Sequence, residues 1–352
     1  MLEHGVRLRL AAAQWGIPLA DWLDLSTGIN PQGWPVPALP ADCWRRLPED
    51  NDGLEDAAAT FYGNANLLPL AGSQAAIQCL PTLLPRAAVV MPAPLYAEPP
   101  HAWERAGHKV RRLPGANLSR ALTAMAPNVL LCNPNNPTGR AYTRDELLAA
   151  AAQLKKRGGT LIVDEAFADA DPENCVAPFA GTKEAPNLIV LRSIGKFFGL
   201  AGARVGFILA RRELLMQMVE VLGPWAVSGP SRLVAQGALS DRDWQAAARK
   251  RLAADSERLR ALLAPLVAPS AEVQATPLFC WLPTQDAQAL HDFLAARGIL
   301  VRLFAESTGT PGIRVGLPGN ESEWQRLAEA LGAWPQTSSH APVIPAKAGI
   351  QN

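Results

Sequence analysis

From about residue 55 to residue 210, short apolar runs alternate with longer amphipathic stretches. The runs are AAVVM (87–91), NVLLC (128–132), TLIVD (160–164), NLIVL (187–191) and RVGFIL (204–209). They are apolar at successive positions, as strands buried on both faces of a sheet must be. Around the first four, the spacing predicts helices over 74–83, 97–107 and 143–157, the last with Leu147, Leu148, Ala151 and Leu154 on one side. Strands alternating with helices predict an α/β fold built on a mainly parallel sheet. The run at 204–209 follows its predecessor with too little chain for a helical crossover, so it is expected to be antiparallel.

Past residue 210 the rhythm changes. Long helices are expected over 211–222 and 231–264. LFCWLP (278–283), a helix over 286–297, ILVRLF (299–304), GIRVGLP (312–318) and a helix over 320–332 read as a small α+β domain. Residues 27–50 are proline-rich and read as an irregular arm. The expected division is an N-terminal arm joining the small domain (1–40), a large domain (41–225), a linking helix (226–264), a small C-terminal domain (265–334) and a disordered tail (335–352).

Charge narrows the partners. The chain has 352 residues, 33 basic and 32 acidic, for a net charge of +1. That balance gives no reason to expect nucleic acid or a membrane surface as partner. No apolar run approaches the roughly 18 residues of a membrane span. MLEHGVRLRLAAAQWG makes a poor signal peptide. The five cysteines and five histidines are scattered without metal-ligand spacing. Reduced thiols, a cytoplasmic location and no metal are expected.

Candidate chemistry sits where ligands gather in such folds, at the carboxyl ends of strands. Gly72, Ser73 and Gln74 open a helix, and form either a phosphate seat or an ordinary cap. Tyr96 either stacks on a flat ligand or fills the core. CNPNNPTG fixes a turn that can aim an amide inward. Asp164 follows Leu-Ile-Val, and a buried carboxylate there needs a cationic partner. Lys196, within SIGKFFGLAGARVGF, is either exposed or a desolvated amine able to attack a carbonyl. Ser193 and Arg204 flank it. A phosphate loop, a ring, an amide, a buried anion and an amine together match the needs of pyridoxal phosphate.

The order GSQAAI, PLY, NPNNPTG, DEAF, S-x-x-K, LAGARVG resembles the fold-type I pyridoxal-phosphate enzymes, across about residues 2–333. The resemblance implies that Lys196 carries the cofactor and Asp164 pairs with its ring nitrogen. It places Asn136 and Phe167 beside the ring and Tyr96 over it. Gly72, Ser73, Gln74, Ser193 and Arg204 would hold the phosphate, and Arg314 a substrate carboxylate. The chain is similar to the histidinol-phosphate aminotransferases and more so to the threonine-phosphate decarboxylases of cobalamin biosynthesis. The latter likeness rests on EHG (His4, Gly5), on DLSTGINP, and on Phe167 with PWAVSGP around Trp225. Val6 replaces a glycine of the decarboxylase pattern, Gly28 a frequent asparagine, Gly195 a serine or threonine, and Leu47 a tyrosine.

This implies decarboxylation of a phosphorylated amino acid, L-threonine O-3-phosphate, by a homodimer, with His4, Gly5, Gly28, Asn136, Arg302 and Arg314 toward the substrate. The competing readings are a histidinol-phosphate or aromatic aminotransferase and a non-catalytic binding module of the same fold. Intact Lys196, Asp164 and Arg204 argue against the module, as does the lack of an appended DNA-binding segment.

Overall fold

The structure, a computed structural model, describes residues 8–115, 117–267, 271–304 and 311–335. Helix α1 (Leu8–Trp15) precedes a two-residue strand, β1 (Leu23–Asp24). The principal sheet follows: β2 (Leu67–Leu70), β3 (Ala88–Ala93), β4 (Lys109–Pro114), β5 (Asn128–Cys132), β6 (Thr160–Asp164), β7 (Leu188–Ser193) and β8 (Gly206–Leu209). Its spatial order is β2-β8-β7-β6-β5-β3-β4. From β7 to β4 all neighbours are parallel, while β8 runs antiparallel to both β7 and β2. The expected antiparallel run is therefore β8.

Both faces of the sheet are buried. Along β6, Leu161 and Val163 join one core and Ile162 the other; along β7, Leu188 and Val190 oppose Ile189 and Leu191. The helices of this part are α2 (Leu54–Tyr62), α3 (Ser73–Leu83), α4 (Glu98–Arg105), α5 (Leu118–Thr123), α6 (Arg144–Lys155) and α7 (Arg212–Leu222). A capping box between Thr143 and Glu146 fixes the start of α6. The edge strands β2 and β4 were not apparent from periodicity. β2 contains Pro69, and β4 exposes Lys109, Arg111 and Arg112. Edge strands carry such residues because one side needs no partner.

The continuous helix expected over 231–264 is two helices, α8 (Gly229–Ser240) and α9 (Arg242–Leu263). Asp241 breaks them. Its carboxylate accepts from the Trp244 N–H and from the Trp34 indole N–H, both at 3.0 Å. The tail of the chain supplies β9 (Gln274–Thr276), β10 (Phe279–Pro283), α10 (Ala287–Ala295), β11 (Ile299–Leu300), β12 (Arg302–Phe304), β13 (Gly312–Gly316) and α11 (Glu321–Gly332). ILVRLF is thus two strands rather than one. β11 pairs in parallel with β1, while β12 joins the antiparallel sheet β12-β13-β10-β9.

The stretch from Ser26 to Trp34 runs past the loop between β7 and β8. Asn30 donates its main-chain N–H to the Lys196 carbonyl (3.0 Å) and its amide to the Phe197 carbonyl (2.8 Å). The Trp34 N–H reaches the Phe198 carbonyl at 2.8 Å. Among the described residues, no helix is long and apolar enough to cross a membrane.

Candidate active site

Lys196 lies in the β7–β8 loop, partly accessible, with its Nζ 5.3 Å from the centre of the Phe167 ring. Burial holds its ammonium down to about 8, with Arg314 and Arg204 adding to the depression and Asp164 opposing it. Asp164 ends β6. Burial pushes its carboxyl up to about 6, against the Ala166 N–H it accepts at 3.0 Å and the charge of Lys196. The desolvated amine, rather than a surface lysine, is what the fold presents.

A cradle lies beside this pair. Gly72 adopts φ 76° and leads into α3, whose start has no side-chain cap. The Ser73 hydroxyl therefore does not cap the helix. A Cβ on Gly72 would stand 2.7 Å from Arg204 Nη2, and one on Gly206 would stand 2.4 Å from the Ser73 nitrogen. Only glycines allow the guanidinium and the helix N-terminus to approach so closely. Arg204 is itself left-handed (φ 53°), a conformation that aims its exposed side chain back over Gly72. The Ser193 hydroxyl accepts from the Gly195 N–H at 3.2 Å, leaving its own hydrogen to donate. First-turn N–H groups, a hydroxyl and an arginine make a phosphate-shaped set.

Tyr96 and Gln74 meet at 3.4 Å, and the Gln74 amide in turn donates to buried Glu98 at 2.9 Å. The Gln74 side chain is thus committed to Glu98 and Tyr96, which leaves its main-chain N–H, in the first turn of α3, for the cradle. Burial and Glu98 push the Tyr96 hydroxyl up to about 12.

On the other side, Asn133 and Asn135 hold the NPNNP turn through hydrogen bonds to Tyr142, Pro94 and Thr138. Asn136 instead accepts from Arg314 Nη1 at 2.5 Å. Arg314 also donates to the carbonyls of Ser26 (2.5 Å) and Thr27 (3.3 Å). Arg314 is 6% exposed and makes no ion pair with a carboxylate among the described residues. Burial, with Arg302 nearby, pulls it down to about 9, still protonated at neutral pH. Arg302 is its direct partner across β12 and β13.

Gly28 (φ 66°) packs on two rings that meet edge to face at 5.1 Å, Phe167 and Phe279. A Cβ there would lie 3.1 Å from Phe279 and 3.4 Å from Phe167. Gly28, a departure from the decarboxylase pattern, and Phe167, a point of likeness to it, therefore belong to one apolar wall beside Lys196. Phe279 was missed because a phenylalanine in a core strand gives no separate signal. Glu98 was missed for want of a motif. Its one clue was a carboxylate two residues after Tyr96. His4 and Gly5 lie outside the described residues.

The fold and this constellation are those of the fold-type I pyridoxal-phosphate-dependent transferases. The family model for aminotransferases of class I and II matches residues 47–331, and the chain belongs to that family. A Pseudomonas aeruginosa protein named threonine-phosphate decarboxylase is 52% identical over 331 residues, covering 94% of this chain and 97% of that one. A Sinorhizobium protein of the same name is 42% identical over 336 residues, with the same coverage of 94% and 97%. The crystal structure of a histidinol-phosphate aminotransferase from Sinorhizobium meliloti, in complex with pyridoxal-5'-phosphate, matches with a TM-score of 0.80 at 24% identity, covering 94% of each chain.

Proposed function

We propose that this chain is a pyridoxal-phosphate-dependent decarboxylase that converts L-threonine O-3-phosphate to (R)-1-amino-2-propanol O-2-phosphate and CO₂ for cobalamin biosynthesis. Lys196 would hold the cofactor's aldehyde carbon and Asp164 its ring nitrogen. Tyr96, Phe167 and Asn136 would border the ring. The N–H groups after Gly72, with Ser73, Ser193 and Arg204, would seat its phosphate. When bound, the cofactor supplies an electron sink for the Cα bond held perpendicular to its ring.

The chain decides which bond that is. Arg314, fixed by Asn136 and by the Ser26 and Thr27 carbonyls, would receive the substrate carboxylate. Arg302, with His4 and Gly5, would hold the substrate phosphate. Gly28 keeps its two rings free of a side chain that would crowd them. Those rings, Phe167 and Phe279, would give the Lys196 side an apolar lining. Lys196 Nζ, lowered to about 8, is the titratable group placed to return a proton to Cα.

The observation that carries this reading is the Arg302–Arg314 pair: two arginines in register on adjacent strands suit a substrate with two acidic groups. The 52% identity to a protein of that name supports it. A homodimer is part of the proposal. Trp44, Leu47 and Trp225 are 70%, 62% and 58% exposed, and a Cβ on Gly229 would lie 2.8 Å from the Cys43 carbonyl, so the segments bearing them adjoin. Five unpaired thiols suit the cytosol.

The test is a pair of assays on the holoenzyme, with Lys196→Ala as control. Phosphothreonine should yield CO₂. Histidinol phosphate with 2-oxoglutarate should yield no glutamate; glutamate without CO₂ would make it an aminotransferase and end the proposal.

A further inference from the structure

Between α2, α6 and α9 lies a cavity of about 440 Å³ that plays no part in the site above. Arginines from two helices line it: Arg144 opens α6, Arg242 opens α9, and Arg249 follows within α9. None of the three pairs with a carboxylate among the described residues. Arg249 donates to the Asp169 main-chain carbonyl at 3.0 Å, and its guanidinium lies 5.1 Å from the Phe197 ring. Arg144 donates to the main-chain carbonyls of Glu173 and Cys175. The nearby carboxylates Glu165 and Asp169 are taken by Arg192, which is buried in the cavity wall.

This arrangement is unfavourable as it stands. Three like charges share one void, and two of them open helices, where positive charge opposes the macrodipole. Burial draws the Arg249 guanidinium below its ordinary value. The remaining wall mixes apolar Phe61, Pro178 and Leu239 with polar Thr60 and Gln245, and the ring of Tyr62, 4% exposed, lies 4.7 Å from the Arg192 guanidinium. The volume exceeds what inorganic phosphate needs and suits an acid with an apolar body.

We propose that this cavity is a second ligand site, separate from the lysine site, for a small organic anion. Arg144, Arg242 and Arg249 grip its acidic group, and its body lies on Phe61 and Leu239. The shared chemistry is an acid on an apolar frame, and either a phosphate ester or a carboxylate supplies it.

Calorimetric titration of the holoenzyme with phenyl phosphate, benzoate and phenol tests this. At least one of the two acids should bind saturably, and phenol should not. The stronger acid identifies the ligand's head group. Affinity should fall at least about tenfold in Arg242→Ala, whose side chain is exposed, and in Arg249→Gln, as expected for a lost charge-assisted contact. Cofactor absorbance and circular dichroism should stay unchanged in Arg242→Ala. Arg302→Ala should leave the affinity alone. The proposal fails if neither acid binds, if phenol binds as well, or if both cavity variants bind within twofold of the parent. It also fails if Arg302→Ala is the variant that loses binding, because the acid would then occupy the lysine site.

Discussion

Arg302 and Arg314 are register partners on adjacent antiparallel strands, so the two guanidiniums project from the same face of the sheet. Like charges directly opposite each other destabilise a sheet. The arrangement therefore favours binding at the expense of stability. Arg302→Ala is expected to change apoenzyme stability by no more than about 1 kcal/mol, since relief from Arg314 is set against the other contacts Arg302 makes. It should raise KM for phosphothreonine roughly 30- to 100-fold, the effect of losing a charge-assisted contact. Thermal unfolding and steady-state kinetics on one preparation check both halves.

Lys196 makes a similar trade, legible in pH. Its folded pKa is about 8, against roughly 10.4 in an unfolded chain. Between these values the unfolded state binds more protons, so stability from this group rises with pH, and the full penalty applies below about 8. Lys196→Met should stabilise the apoenzyme by about 2 kcal/mol at pH 7, and the gain should shrink toward pH 10. Asp164 has the opposite slope. Its folded pKa of about 6 exceeds the ordinary carboxylate value, so its contribution falls as pH rises from roughly 4 through 6. Urea denaturation of apoenzyme across pH measures each.

Gly72→Ala would push a methyl to 2.7 Å from Arg204 Nη2 at a residue with φ 76°. The guanidinium must retreat and the turn must strain. A loss of about 1–2 kcal/mol in stability is expected. Pyridoxal phosphate should bind at least about tenfold more weakly, matching one displaced charge-assisted contact. Cofactor titration followed by absorbance reads the second effect directly.

Gly28→Ala meets Phe279 at 3.1 Å in a left-handed turn. It should cost roughly 1–2 kcal/mol. Combining it with Phe279→Leu, which opens space on that side, should give less than the sum of the two single losses. Strict additivity in this double-mutant cycle would show that the glycine and the ring are not coupled.

Much of this molecule was legible in advance because its central strands are apolar on both faces. No other element writes NVLLC or TLIVD so plainly, and Asp164 stood out by ending such a run. Lys196 stood out by its apolar surroundings. The failures share a cause: they lie where tertiary contacts overrule local pattern. β4 reads as polar because it is an edge. The break at Asp241 was hidden in a helical composition: its cap on the Trp244 N–H is local, but the Trp34 indole that also holds it is distant in sequence. Gly28 reads as a departure and Phe167 as a point of likeness, and only their shared contact with Phe279 makes them one feature.

The stretch from Ser26 to Trp34 has one end hydrogen-bonded to Arg314 and the other to the main chain of residues 196–198. Nine residues thus work as a tie-rod between the group that clasps an acid and the amine that does the chemistry. A protease cut inside it would spare all three sheets of the described residues and every reactive side chain. The two halves of the machine would still be present, but they would no longer be in step.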